Sequence, residues 1–183
     1  MLHLFLIAAS WTKVFSHDTS GGLFVNINDA KNKNSDDPSA ALFSILDQLE
    51  GMRNSDGKFY LKLCYPELTQ FNPPCNEWIQ TSNPATETAI TGYKEVQVTF
   101  QGSAERTGAK FGGLELVTSK SPGRTWIDAD PSHGNWWYAI GALRNHGGRH
   151  TIPGPVDGNQ KGFPVRKVEL FVTLDPTKGN KST

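Results

Sequence analysis

Carboxylate and amide side chains are concentrated between residues 128 and 135. Asp128, Asp130 and Asn135 fall within eight residues of each other, and a loop with several such oxygens suits Ca²⁺. The spacing is not that of an EF-hand, because Gly134 stands at the seventh position and Ala139 occupies the twelfth, where a glutamate is needed. The alternative is that these side chains cap the loop through Asx turns. The sequence therefore predicts a candidate calcium site at Asp128, Asp130 and Asn135.

The same acidic residues offer a second chemistry. Asp128 and Asp130 point to the same side if the chain is extended there, and a pair of carboxylates is what glycoside hydrolysis uses. Glu115 or His133 is the candidate partner for such an aspartate. The alternative is a turn that ends at an Asp-Pro step. The chain contains no GxSxG, HExxH, P-loop or GxGxxG motif, so we expect a non-catalytic protein and keep a glycosidase-like hydrolase as the alternative.

Histidines follow the acidic segment. His146 and His150 flank Gly147, Gly148 and Arg149. Together with His133 of the acidic segment, they could form a zinc or copper cluster. The interpretation we favour is that they are surface histidines on a glycine-rich loop.

Large aromatic side chains carry the strongest functional signal. In a strand, Trp136 and Tyr138 would share one face and Trp137 would occupy the other. Flat rings with neighbouring polar groups suit sugars, which stack on rings and hydrogen-bond through hydroxyls. The competing interpretation is that the rings form the core. The predicted ligand-binding residues are Trp126, Trp136, Trp137, Tyr138, His146 and Arg149.

The beginning of the chain resembles a secretory signal peptide over residues 1–16. A short apolar run at 2–9 is followed by Val14 and Ser16 at the −3 and −1 positions of a cut after Ser16. A buried N-terminal strand or helix is the alternative. In a secreted chain Cys64 and Cys75 should form one disulfide, since a zinc site would need further ligands. No other segment approaches the length of a transmembrane helix.

The balance of charges argues against nucleic acid as a partner. Eighteen Lys and Arg residues balance eighteen Asp and Glu residues without a basic block, so nucleic-acid binding is not expected.

The remaining pattern predicts one β-rich domain at 38–175, which follows a flexible leader at 17–37. A polar tail at 176–183 comes after the domain and contains a glycosylation sequon at Asn180. Asp37 and Pro38 open an amphipathic helix over 39–50. Alternation predicts strands at 58–64, 77–80, 93–100, 113–118, 125–128, 135–140 and 166–172. Short strands separated by Gly- and Pro-rich turns indicate an antiparallel, jelly-roll-like β-sandwich with one N-terminal helix.

Six motifs in one order resemble an extracellular module of cnidarian proteins, among them coral skeletal organic matrix proteins, where it often accompanies fibrinogen-related or EGF-like segments. The motifs are Tyr60-Leu-Lys-Leu-Cys-Tyr-Pro-Glu67, Cys75-Asn-Glu-Trp-Ile-Gln-Thr-Ser-Asn-Pro84, Phe111-Gly-Gly-Leu-Glu115, Gly134-Asn-Trp-Trp-Tyr-Ala-Ile-Gly-Ala142, Ile152-Pro-Gly-Pro155 and Val168-Glu-Leu-Phe-Val172. The resemblance implies an adhesion or matrix role and brings no catalytic residues. The Gly-Gly-Gly-Trp signature of fibrinogen-related lectins is absent. We therefore expect a secreted, lectin-like or matrix-associated binding module, with a purely structural matrix protein as a further alternative.

Overall fold

The computed structural model describes residues 10–102, 110–117, 125–129, 137–146, 150–159 and 161–174. Within these ranges it contains one α-helix, α1 (Ile27–Lys31), two 3₁₀ helices (Thr19–Gly21 and Leu46–Met52) and eleven strands. The strands are β1 (Thr12–Asp18), β2 (Asn32–Lys33), β3 (Leu42–Ile45), β4 (Phe59–Cys64), β5 (Cys75–Gln80), β6 (Lys94–Val98), β7 (Glu115–Leu116), β8 (Ile127–Asp128), β9 (Ile152–Val156), β10 (Gly162–Val165) and β11 (Lys167–Thr173). The prediction of a mainly β protein is confirmed.

Seven strands form one antiparallel sheet in the order β2-β3-β1-β11-β4-β5-β6. Two smaller antiparallel pairs, β7 with β8 and β9 with β10, complete the strand pairing. The sequence predicted β4, β5, β6 and β11, and these four are consecutive neighbours in the large sheet. Within the described ranges no helix is both long and apolar enough to cross a membrane.

One face of the large sheet carries the core. In β4, Phe59, Leu61 and Leu63 are fully buried and alternate with the half-buried Tyr60 and Lys62. This is the period of two expected of a strand with one face on the core. The smaller strand pairs and their loops cover that face with Leu114, Trp126, Tyr138, Ile140, Ile152 and Val165. Each fully buried Leu or Phe contributes roughly 1.5–3 kcal/mol of hydrophobic free energy.

The N-terminal region differs from the predicted helix over 39–50. Residues 42–45 form β3, which pairs with β1 and β2, and a 3₁₀ helix follows at Leu46–Met52. The apolar spacing that indicated a helix is used differently, because Leu42 and Phe43 are both buried on opposite sides of a strand. Pairing on two edges overrides a modest local helix preference.

The α-helix found in the described ranges, α1, lies instead at 27–31, inside the segment predicted as a flexible leader. Asn26 caps it by accepting a hydrogen bond from the backbone N–H of Asp29 at 3.0 Å. The Ser44 hydroxyl donates to the carbonyl of Ala30 at 2.7 Å, and both residues are buried. The helix is therefore held against β3 by a buried contact.

The predicted signal-peptide cut falls within β1. Cleavage after Ser16 would remove Val14 and Phe15, both fully buried, and would leave β3 and β11 without the strand that lies between them. That cut and this sheet are mutually exclusive. The strand observed over residues 12–18 corresponds to the alternative that the sequence left open.

Two buried side-chain amides extend the backbone pairing of β5. The Asn76 amide donates to the carbonyl of Phe100 at 2.9 Å and accepts from its N–H at 2.8 Å. The Gln80 amide accepts from the Trp78 indole at 2.7 Å and from the Leu114 N–H at 3.0 Å, and donates to the carbonyls of Ser82 and Leu114. Gln80 thus fastens the segment before β7 to the large sheet.

Two buried tyrosines near one end of the core differ in their hydrogen bonding. The Tyr138 hydroxyl lies 3.0 Å from the carbonyl of Val156 and 3.3 Å from that of Phe100. The Tyr65 hydroxyl has no hydrogen-bond partner in the part of the chain described above, and burial raises the pKa of Tyr65 well above its usual value.

We expect Tyr138→Phe to lower the free energy of unfolding by about 1–2 kcal/mol, because it removes the hydroxyl that donates to buried carbonyls. Tyr65→Phe should be neutral within about 0.5 kcal/mol, or stabilising, because it removes a buried group that makes no hydrogen bond. Urea unfolding of both variants checks this difference. An equal loss of stability in the two variants would contradict the hydrogen-bond assignment.

Candidate functional site

Two of the predicted ligand-binding rings belong to the core. Trp126 is 1% exposed and Tyr138 is 0% exposed. In the described part of the strand predicted at 135–140, residues 137–140, Tyr138 lies in a turn with φ +59° and Ile140 makes an isolated strand-like bridge to Ile127. The backbone of the same tyrosine donates to the carbonyl of Gly154 at 2.8 Å. The structure therefore encloses both of these predicted ligand-binding side chains within the protein.

Trp137 is half-buried and packs against β10. An added Cβ at Gly162 would collide with its six-membered ring, so a larger residue there would force the ring to shift. The ring also lies 5.2 Å from that of His146, centroid to centroid, and burial lowers the pKa of His146. Trp137 and His146, both predicted to bind ligand, thus form a packed pair. Trp136 and Arg149 lie outside the described residues.

The predicted calcium site is only partly described. Asp128 is 2% exposed and faces Glu115 across the β7–β8 pair, where Glu115 is 7% exposed. Asp130, Asn135 and His133 lie outside the described residues, as does Asn180. Among the residues that are described, no group of three or more His, Cys, Asp or Glu side chains could hold a metal ion. His150 is exposed, and its carbonyl accepts a hydrogen bond from the Thr19 hydroxyl at 3.0 Å.

The predicted disulfide is confirmed. Cys64 and Cys75 face each other on β4 and β5 with their Cα atoms 4.1 Å apart. Both cysteines lie on the face of the sheet opposite the core, because their neighbours Leu63 and Asn76 point inward. The bond ties the ends of the turn-rich segment between the two strands.

A groove on this outer face is lined by the disulfide. It has a volume of about 290 Å³. We call it the outer-face groove, and its lining residues are Trp11, Lys62, Cys64, Pro66, Pro74, Cys75, Glu169 and Phe171. Trp11 and Phe171 are both partly exposed, so the groove combines two accessible rings with a charged group of each sign.

Fixed charges surround these rings. Lys62 pairs with Glu77 at 2.9 Å, and its ammonium lies 5.2 Å from the centroid of the Trp11 ring. Glu169 accepts from Lys13 at 2.8 Å and lies 3.2 Å from Lys167. Carboxylates on neighbouring strands therefore hold Lys62 and Lys13 over the outer face, and an ammonium with one carboxylate partner has further N–H donors for a ligand.

Sequence reasoning missed the outer-face groove because it assigned Trp11 to a cleaved leader. The signal that could have found it is the outward-pointing series Lys62, Cys64, Glu169 and Phe171 on two predicted strands. Only the pairing of β4 with β11, and of β11 with β1, brings that series next to Trp11.

Comparison with protein-family models, with curated proteins and with solved structures finds no match to this chain.

Proposed function

We propose that this chain is a secreted, non-catalytic binding module of the extracellular matrix or cell surface, and that it recognises a glycan through the outer-face groove. The observation that supports this function is the groove itself, which joins the partly exposed rings of Trp11 and Phe171 to the charged ends of Lys62 and Glu169. The jelly-roll-like sandwich, the extracellular location and the relationship to coral matrix modules belong to the same proposal.

The chemistry of the groove favours a sugar over a fully apolar ligand. Aromatic rings offer flat apolar faces for the C–H side of a sugar, while an ammonium donates to hydroxyls and a carboxylate accepts from them. The volume of about 290 Å³ is close to the lower limit of roughly 300 Å³ for ligand pockets. The groove is therefore suited to one end of a glycan chain.

The disulfide supports an oxidising location. Structural disulfides persist outside the cell and are rare in reducing compartments. Because Trp11 contributes a ring to the proposed site, the functional chain must retain it, and the intact mass of secreted material should include residues from Trp11 onward.

A glycan array probed with the full chain tests the proposal. Trp11→Ala and Phe171→Ala should each weaken binding by about tenfold, since a lost ring contact of about 1.4 kcal/mol has that effect. Tyr60→Ala is the matched control, because Tyr60 is a partly exposed ring on the same sheet that does not line the groove. Absence of glycan binding, or unchanged binding by both groove variants, would reject the proposal.

The same array in EDTA tests the calcium prediction. Binding that disappears in EDTA and returns with added Ca²⁺ would support a calcium site, whereas EDTA-insensitive binding would remove calcium from the function.

The hydrolase remains a second candidate, because the register places Glu115 directly opposite Asp128 and both carboxyl-bearing side chains are buried. Paired carboxylates are what glycosidases use. Hydrolysis of aryl glycosides by the native chain, abolished by both Glu115→Gln and Asp128→Asn, would favour the enzyme. No hydrolysis by the native chain would reject it.

A further inference from the structure

A second groove lies at the start of α1, on a part of the molecule that the proposed glycan site does not use. It has a volume of about 540 Å³ and is lined by Val25, Asn26, Ile27, Asn28, Leu143 and Arg144. We call it the α1 groove. Its volume lies within the range of roughly 300–1,000 Å³ that is typical of binding pockets.

Apolar side chains in this groove are unusually exposed. Val25 is 79% exposed and Ile27 is 41% exposed, and both are among the four exposed large hydrophobic residues found in the described ranges. Leu143, across the groove, is partly buried. Isolated exposed hydrophobic residues are ordinary on protein surfaces, but several that line one concave region indicate an interaction site.

The backbone around these side chains is fixed, so they are not free to turn into the core. The Val25 N–H donates to the Asp29 carboxylate at 3.1 Å, and Asn26 caps the helix. Further along α1, Ala30 is fully buried and its carbonyl accepts the Ser44 hydroxyl. The apolar side chains of Val25 and Ile27 are therefore presented to solvent by an ordered segment.

Arg144 brings a positive charge to the groove, and none of the described residues that line the groove is acidic. Arg144 is exposed, and among the described residues its guanidinium forms no ion pair. The carboxylate of Asp29, the acidic residue of α1, is already engaged by the Val25 N–H and by Lys33 at 2.7 Å. A guanidinium pairs best with a carboxylate, through two parallel N–H donors.

From this combination we infer that the α1 groove docks a peptide segment of a partner protein in which an apolar side chain stands next to an Asp or Glu. The apolar residue would contact Val25, Ile27 and Leu143, and the neighbouring carboxylate would pair with Arg144. This interaction is independent of the glycan site, because the two grooves share no lining residue in the described part of the chain.

A displayed library of random twelve-residue peptides is the probe, and the full chain is the target. The selected peptides should share an Asp or Glu beside Leu, Ile, Val or Phe. Val25→Asp and Arg144→Gln should each weaken the affinity of such a peptide at least tenfold. Val96→Asp and Arg166→Gln are matched controls at exposed positions outside the groove, and they should leave that affinity unchanged.

Two further measurements make the result specific. Replacing the acidic residue of the peptide by Ala should weaken binding to the native chain. It should not weaken binding to the Arg144→Gln variant, because that variant has no guanidinium with which the peptide carboxylate could pair. Glycan binding should be unaffected by Val25→Asp, which separates failure of this inference from failure of the proposed function.

Three outcomes would overturn the inference. The library could yield no peptide that depends on Val25, or the selected peptides could lack an acidic residue. Alternatively, vesicles of three parts phosphatidylcholine to one part phosphatidylserine could bind the native chain and lose binding with Val25→Asp, which would assign the groove to a membrane surface.

Discussion

Gln80→Leu is expected to lower the free energy of unfolding by about 3 kcal/mol or more, because each buried polar group left without a partner costs about 1–3 kcal/mol. The substitution nearly preserves side-chain volume but deprives the Trp78 indole and the Leu114 N–H of their acceptor. It also removes the donor to the carbonyls of Ser82 and Leu114. Gly113 lies close beside this amide, so the segment has little room to adjust.

Urea unfolding of the variant measures this loss, and Gln97→Leu on neighbouring β6 is the matched control because Gln97 is exposed. Gln80→Glu should be intermediate, since a carboxylate still accepts from Trp78 and Leu114 but cannot donate to carbonyls. A Gln80→Leu protein within about 0.5 kcal/mol of the native chain would show that the amide does not fasten the segment before β7.

The contribution of His17 should lower the free energy of unfolding by about 3 kcal/mol as the pH is lowered from about 6.5 to about 4. This imidazole is fully buried in β1, and burial lowers its pKa from 6.5 to about 4, against smaller opposing effects of the Gly22 carbonyl and Asp18. Its Nε2 lies 3.1 Å from that carbonyl, and its Nδ1 has no hydrogen-bond partner among the described residues.

The sign follows from proton binding. Below pH 6.5 the unfolded chain protonates this histidine while the folded chain does not, so proton binding stabilises the unfolded state relative to the folded state as the pH falls. Above pH 6.5 both states hold a neutral ring, and the dependence on this group ends. The Phe24 ring lies edge-on to the imidazole, with the two centroids 5.0 Å apart. It stabilises a positive charge on the imidazole far less than water does.

His17→Gln should flatten the stability profile over this pH range, because glutamine does not titrate and can still donate to Gly22. His150→Gln, an equivalent exchange at an exposed histidine, should leave the profile unchanged. The comparison uses urea unfolding at several pH values between 4 and 7.5. If the His17→Gln profile keeps the slope of the native profile, the buried imidazole is not responsible for it.

Much of the sheet could be predicted from local alternation. β4, β5 and β11 each have one face on the core, so inward apolar residues such as Leu61 and Leu170 alternate with outward ones such as Lys62 and Glu169. The disulfide was also predictable, because two cysteines flank a turn-rich segment between two such strands. These features depend on residues close together in the sequence.

The elements that local sequence did not predict depend on distant pairing. β3 resembles a helix in its apolar spacing, and it becomes a strand because β1 and β2 pair with its two edges. β1 itself resembles the end of a signal peptide, because a strand buried between two others is as apolar as a short leader. β9 was missed because its two prolines are unusual in a strand, but it belongs to a two-stranded pair in which proline is tolerated.

The candidate site was difficult to predict for a related reason. A tryptophan that binds a ligand and a tryptophan that fills the core can have the same kinds of neighbours in the sequence. Trp126 became core because it is covered by residues as distant as Lys31, whereas Trp11 stayed accessible at the edge of the outer face. Only three-dimensional packing separates these two outcomes.

The pairing of β1 with β11 has a consequence for synthesis of the chain. Lys13 and Glu169, which form an ion pair across these strands, are 156 positions apart. A ribosome delivers the N-terminal end first, so β1 lies beside β3 with an unpaired edge until β11 has been made. Unpaired strand edges recruit other chains. Translation that stops before residue 167 would leave two half-sheets, each with an exposed edge, and nascent chains of this protein should depend on chaperones until β11 is released.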